Sequence, residues 1–117
     1  MKKKIIYFLF IAVAIMSMTV FKHGELPVTN KDGLVHGSWQ ANYVWITVKQ
    51  QLEKARQKVV VVELPAHGND FKSPATVSID VYKDKVISAI LSTKQRVILV
   101  GHSLGGVVVT AVAEQIP

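Results

Sequence analysis

The sequence predicts an α/β domain built on a parallel sheet, and three observations carry that reading. Val59-Val60-Val61-Val62 and Val97-Ile98-Leu99-Val100 are short, continuous apolar runs, the pattern of strands covered on both faces. Stretches with apolar residues at helical spacing precede, separate and follow them. The second run passes straight into Gly101-His102-Ser103-Leu104-Gly105-Gly106, a glycine-flanked serine at a strand-to-helix junction. Alternation of strands with helices builds a parallel sheet joined by crossover helices.

Taken in order, the chain opens with Met1-Lys2-Lys3-Lys4 and an uncharged, mostly apolar run from Ile5 to Phe21. A cationic start before such a run is the signature of a secretory signal or membrane anchor, assigned here to residues 1–22. The run lies at the lower edge of what crosses a bilayer, where about 20 residues are usual. Ser17-Met18-Thr19 is its best small-x-small cleavage candidate. The protein is therefore expected to be exported, periplasmic or secreted, with residues 5–21 as its membrane tether if they are retained. Residues 23–33 are polar, punctuated by Gly24, Pro27 and Asn30-Lys31-Asp32-Gly33, and read as a linker. The folded domain is expected over 34–117.

Within that domain Leu34-Val35 forms a very short apolar strand ending at His36-Gly37. Trp39, Tyr43 and Trp45 follow, expected in the core or in a pocket wall. Val44, Val48, Leu52 and Ala55 then recur at helical spacing, with Lys49, Gln50, Gln51, Glu53 and Lys54 outward. After the valine strand, Pro65 to Pro74 reads as a loop. A second helix is expected from about Thr76 to Ser92, with Ile79, Tyr82, Val86, Ala89 and Ile90 inward. Val107 to Ile116 reads as a third, buried helix.

Charge excludes one class of partner. The chain carries +6, but Lys2, Lys3, Lys4 and Lys22 lie in the N-terminal segment and leave +2 for residues 23–117. The remaining basic residues are scattered, with none of the aromatic interleaving that stacks bases. No nucleic-acid partner is expected. The chain has no cysteine, which excludes disulfides, thiolate metal sites and a cysteine nucleophile.

The chemistry resides in Gly101-x-Ser103-x-Gly105. A nucleophilic serine must project from a sharp turn, and residues two positions to either side must be small because side chains there would meet neighbouring backbone. Gly101 and Gly105 satisfy this, and Gly106 is expected to allow close helix–sheet packing. The Leu104 amide falls at a helix N-terminus, where unpaired N–H groups favour negative charge. A dinucleotide fingerprint needs glycine where Ser103 stands, and a phosphate loop needs Gly-Lys-Ser/Thr where Val107-Val108 follows. The competing interpretation is an ordinary glycine-rich βα turn in a non-catalytic domain. No cofactor and no metal is expected.

Leu34-Val35-His36-Gly37-Ser38-Trp39, the stretch Val60 to Asp70 with its Leu-Pro-x-His-Gly, and Val97 to Gly106 together resemble the α/β-hydrolase superfamily. The branch they resemble holds plant methylesterases, hydroxynitrile lyases and bacterial esterase relatives, and the resemblance spans nearly all of 34–117. It implies that Ser103 is the nucleophile and that the Leu104 and Ser38 amides form the oxyanion hole. His36 and Gly37 would shape the loop after the first strand. His67, Gly68 and Asp70 match the loop after the second strand, where plain turn chemistry is expected. His102, although adjacent to Ser103, points elsewhere across so tight a turn and is not expected to take its proton.

In this family the triad runs Ser, then Asp or Glu, then His. After Ser103 there is only Glu114 and no histidine. The chain is thus expected to be the N-terminal part of a partial or truncated hydrolase, inactive alone, whose parent cleaves a small carboxylic ester or similar acyl bond through an acyl-serine. A hydroxynitrile lyase on the same scaffold and a non-catalytic exported binding module are the alternatives.

Overall fold

The computed structural model describes residues 30–116; the segment read as a signal or anchor, and all but the end of the linker, lie outside the described residues. The elements run β1 (Lys31–Val35), a 3-10 turn (Asn42–Trp45), α1 (Ile46–Lys54), β2 (Lys58–Val62), a 3-10 turn (Pro74–Thr76), α2 (Ile79–Ser92), β3 (Val97–Gly101) and α3 (Leu104–Gln115). The three strands form one sheet in the order β2-β1-β3. Both pairings are parallel, with Val35 level with Val62 on one side and Gly101 on the other. The sequence-derived fold class, a partial parallel α/β core of alternating strands and helices, is what forms. Parallel strands cannot be joined by tight turns, so α1 and α2 serve as crossovers.

The first strand is longer than its apolar residues suggest. Lys31, Asp32 and Gly33, read from composition as the end of a linker, belong to the central strand and pair on both sides. Gly33 explains the absence of apolar side chains there. A Cβ at this position would come within 2.9 Å of Leu99 and Val97, so neighbouring side chains already fill the space.

Val35, Val62, Leu64, Tyr82, Val86, Val108 and Val112 make one buried cluster between the sheet, α2 and α3. Ser78 caps α2, its hydroxyl accepting from the Val81 N–H at 3.2 Å; a serine in this position satisfies a donor the helix leaves unpaired. The helix therefore starts at Ile79 instead of Thr76, and Ile79, expected inward, is 38% exposed.

Three burial expectations need correction. Val59, Val60 and Val61 are only half-buried, because β2 is an edge strand and β1 holds the centre. Ile98 and Val100 alternate on β3 with the half-buried Val97 and Leu99; Leu99 packs against the core, and Ile98 and Val100 lie exposed on the opposite face of the sheet. In α3 only Val108 and Val112, four apart, are buried along with Gly105, while Val107 is exposed; one face of this apolar helix meets the core. Among the described residues no helix is long and apolar enough to cross a membrane.

Candidate active site

All three strands end on the same side of the sheet, so the segments after Val35, Val62 and Gly101 converge there. This is the edge where open α/β sheets carry their ligands. Between β3 and α3 stand only His102 and Ser103. Ser103 is exposed and takes φ 54°, ψ −117°. A side chain in that left-handed region costs on the order of 1–3 kcal/mol and persists only where surroundings impose it.

The surroundings are visible. His102 N–H donates to the Val35 carbonyl at 3.1 Å, continuing the ladder past the end of β3, and Gly105 N–H donates to the His102 carbonyl at 2.9 Å. A Cβ on Gly105 would come within 2.7 Å of the His36 carbonyl oxygen and nearer still to that of Val35. A Cβ on Gly101 would lie 2.6 Å from the Gly106 nitrogen, with the Gly105 carbonyl closer. Both glycines are thus required by backbone contact. Gly106 is not: a Cβ there would meet only the Gly101 oxygen at an ordinary 3.6 Å, which corrects the packing role expected of it.

Leu104 is the first residue of α3. Among the described residues neither its N–H nor that of Ser38 donates an intramolecular hydrogen bond. Ser38 and Leu104 both line a cavity of about 470 Å³, together with Gln40, His67, Val77 and Tyr82. Ser103 borders this cavity through Leu104 and is not among its lining residues.

His36 is wholly buried at the root of the loop carrying Ser38. Its Nε2 accepts from the Leu64 N–H at 3.0 Å, and its Nδ1 donates to the Gly37 carbonyl at 2.9 Å. An amide N–H can only donate and a carbonyl can only accept, which fixes the neutral ring with its proton on Nδ1. Burial depresses its pKa below 6.5, despite the opposing Gly37 hydrogen bond. The bond to Leu64 ties the first loop to the second.

His67 donates from Nδ1 to the Pro65 carbonyl at 2.9 Å. Its ring lies 5.1 Å from that of His36 and 5.8 Å from that of Tyr82. Asp70 accepts from the N–H groups of Ala66 and Lys72, and those bonds hold its pKa below the ordinary value. Turn chemistry therefore accounts for the ties of both. Of the two places expected for Trp39, the pocket wall is the one it takes: it is 96% exposed at φ 60° and lines the cavity. Tyr43 is also exposed, and Trp45 is half-buried.

Two residues not singled out from the sequence hold the site together. Gln40 accepts from the Gly37 N–H at 3.0 Å and lies 3.3 Å from His102 Nδ1. His102 is accordingly turned toward Gln40, as expected of a residue that does not serve Ser103. Glu63 accepts from Asn42 N–H at 3.3 Å and Asn69 N–H at 3.2 Å, one oxygen to each loop. A carboxylate directly after four valines at the end of a strand was a signal for Glu63. Gln40 carried none, since the partner that gives it a role, His102, lies on another segment.

A parallel sheet whose third strand turns through a strained, glycine-flanked serine into a helix defines an α/β protein with a tight strand–turn–helix bend at its ligand-carrying edge. The Alpha/beta hydrolase family model matches residues 34–116, and the chain belongs to that family. It is 34% identical over 87 residues to an alpha-hydroxynitrile lyase of Arabidopsis thaliana, covering 72% of this chain and 34% of the relative. Identity to salicylic acid-binding protein 2 of Nicotiana tabacum is also 34% over 87 residues, with the same coverage. Among solved structures, an extracellular alpha/beta-hydrolase from a Paenibacillus species superposes with a TM-score of 0.68 at 31% identity, covering 74% of this chain and 36% of that one. The chain thus spans about a third of the length of the relatives it matches.

Proposed function

We propose that this protein is a serine hydrolase acting on a small carboxylic ester, with Ser103 as nucleophile. The observation that carries the reading is the strained, exposed Ser103 set between β3 and α3, next to the unpaired Leu104 amide. The Ser103 hydroxyl oxygen would attack the ester carbonyl carbon and give up its proton to a general base. Negative charge developing on the carbonyl oxygen would be held by the N–H groups of Leu104 and Ser38. Collapse of that intermediate expels the alcohol and leaves an acyl-serine, which water then hydrolyses. Fixed donors aimed at such an oxygen are worth about 100-fold to 1000-fold each in turnover.

The mechanism needs a base and an acid to orient it, and a serine without them is a weak nucleophile. Among the described residues His36 is buried and doubly bonded, His67 is tied to Pro65, and His102 faces Gln40. The competent enzyme is therefore proposed to draw both groups from the two-thirds of its relatives' length that this chain does not span. Export, by the N-terminal segment, is part of the same proposal. Methylesterase 3 of Arabidopsis thaliana, 33% identical over 88 residues, supports the ester-cleaving reading. The match to an alpha-hydroxynitrile lyase supports a second, in which the same serine handles a cyanohydrin hydroxyl.

A fluorophosphonate probe tests the proposal. Ser103 should be the labelled residue by peptide mass spectrometry, and Ser103→Ala should abolish labelling. A form carrying an acid and base that is neither labelled nor able to cleave simple aromatic methyl esters would overturn it. Turnover of a cyanohydrin in place of esters would select the lyase.

A further inference from the structure

We propose that Gln40 is a positioning residue that sets the Ser38 amide relative to Ser103 by bridging the two loops that carry them. This rests on the serine-hydrolase reading for its consequence, though the bridge itself is a matter of geometry. The side-chain oxygen of Gln40 accepts from the Gly37 N–H at 3.0 Å and, on the same atom, faces His102 Nδ1 at 3.3 Å. One oxygen between two nitrogens requires both to donate, so His102 carries its proton on Nδ1. Gly37 lies one residue before Ser38, and His102 one residue before Ser103. Each end of the bridge is thus adjacent to one of the groups that must converge on the substrate carbonyl, Ser103 on its carbon and the Ser38 N–H on its oxygen.

Other ties between these loops lie deeper. The His102 N–H to Val35 carbonyl bond and the packing of Gly105 on the Val35 and His36 carbonyls fix the base of the turn. Neither reaches the outer loop. Gly37 shows how close the bridge draws the segments: a Cβ there would lie 3.0 Å from the Gln40 oxygen and 3.1 Å from both His102 Nδ1 and the His102 carbonyl. With its own N–H turned toward Gln40, Gly37 leaves the next amide, that of Ser38, unpaired at the cavity.

Oxyanion donors act through their placement, and a misplacement of about 1 Å can cost 100-fold. The test combines nitrogen-15 NMR of the full chain with probe labelling. Gln40→Ala should speed amide exchange at Gly37 by about tenfold or more and remove the Nδ1–H preference of the His102 ring. Gln40→Glu, which keeps the acceptor, should retain both signatures. His102→Ala, cutting the other end, should also speed Gly37 exchange by freeing the Gln40 side chain, and serves if Gln40→Ala does not fold. Where Ser103 labels with the fluorophosphonate, Gln40→Ala should slow labelling by about ten- to 100-fold. Unchanged Gly37 exchange together with an unchanged His102 ring would overturn the bridge. Absence of labelling in a form carrying an acid and base would count against the hydrolase reading alone, with the bridge then decided by NMR.

Discussion

The backbone N–H of Leu64 donates to Nε2 of His36, 28 residues earlier, at 3.0 Å, inside a core from which solvent is excluded. The bond joins the ends of β1 and β2 and requires a neutral imidazole. Protonation would place two donors face to face.

Stability should therefore depend on pH through His36. Its folded pKa lies below 6.5, so the unfolded chain binds more protons as pH falls past 6.5. Linkage then lowers the unfolding free energy on acidification, down to the folded pKa. The lowered carboxylates Asp70 and Asp80 act below their ordinary 3.8, in a separate window. Urea midpoints measured from pH 7.5 to 4.5 should decline, and His36→Asn should flatten that decline. An unmutated protein with a level profile would refute the account.

His36→Ala should be among the most damaging single changes. It strips the Leu64 N–H of its partner and opens a cavity, together worth about 2–4 kcal/mol. Equilibrium denaturation at pH 7.5 gives the number, and a loss below about 1 kcal/mol would show that water replaces the ring.

The two glycines after Leu104 should behave oppositely. Gly105→Ala drives a methyl into the Val35 and His36 carbonyls and should cost more than about 2 kcal/mol. Gly106→Ala meets only ordinary contact and, inside a helix, should stabilise by about 0.5–1 kcal/mol. Comparing the two melting temperatures settles it; equal losses would mean the helix packs differently.

Ser103→Gly should be more stable than Ser103→Ala by about 1 kcal/mol, because only glycine occupies φ 54° without strain. Both variants lack the hydroxyl, so the difference isolates the backbone. An alanine variant as stable as the glycine variant would mean the bend holds no strain.

Lys94 follows the C-cap of α2 at φ 53°, a position that favours glycine. Lys94→Gly should raise stability by about 0.5–1 kcal/mol. Thermal unfolding provides the readout, and a fall would indicate that the lysine side chain contributes packing.

Much of the site could be read along the chain because its rules are local. Gly101 and Gly105 flank Ser103 within one turn, and the Ser78 cap acts on a backbone group three residues ahead. Gln40, the partners of Glu63 and the first half of β1 were hidden for the opposite reason. Gln40 meets His102 across 62 residues, and Glu63 meets Asn42 across 21. Nothing in the spacing of either residue announces such a partner.

Periodicity and turn chemistry were enough for an α/β chain with a serine at a glycine-flanked bend. They act over a few residues, where covalent geometry limits the choices. Burial and strand position needed the assembled sheet. Lys31-Asp32-Gly33 became part of the central strand because Leu99 and Val97 fill the room beside Gly33. The apolar β2 and β3 became edges because β1 lies between them. A strand's place in a sheet follows from which backbones pair, and backbone pairing leaves little trace in side-chain pattern.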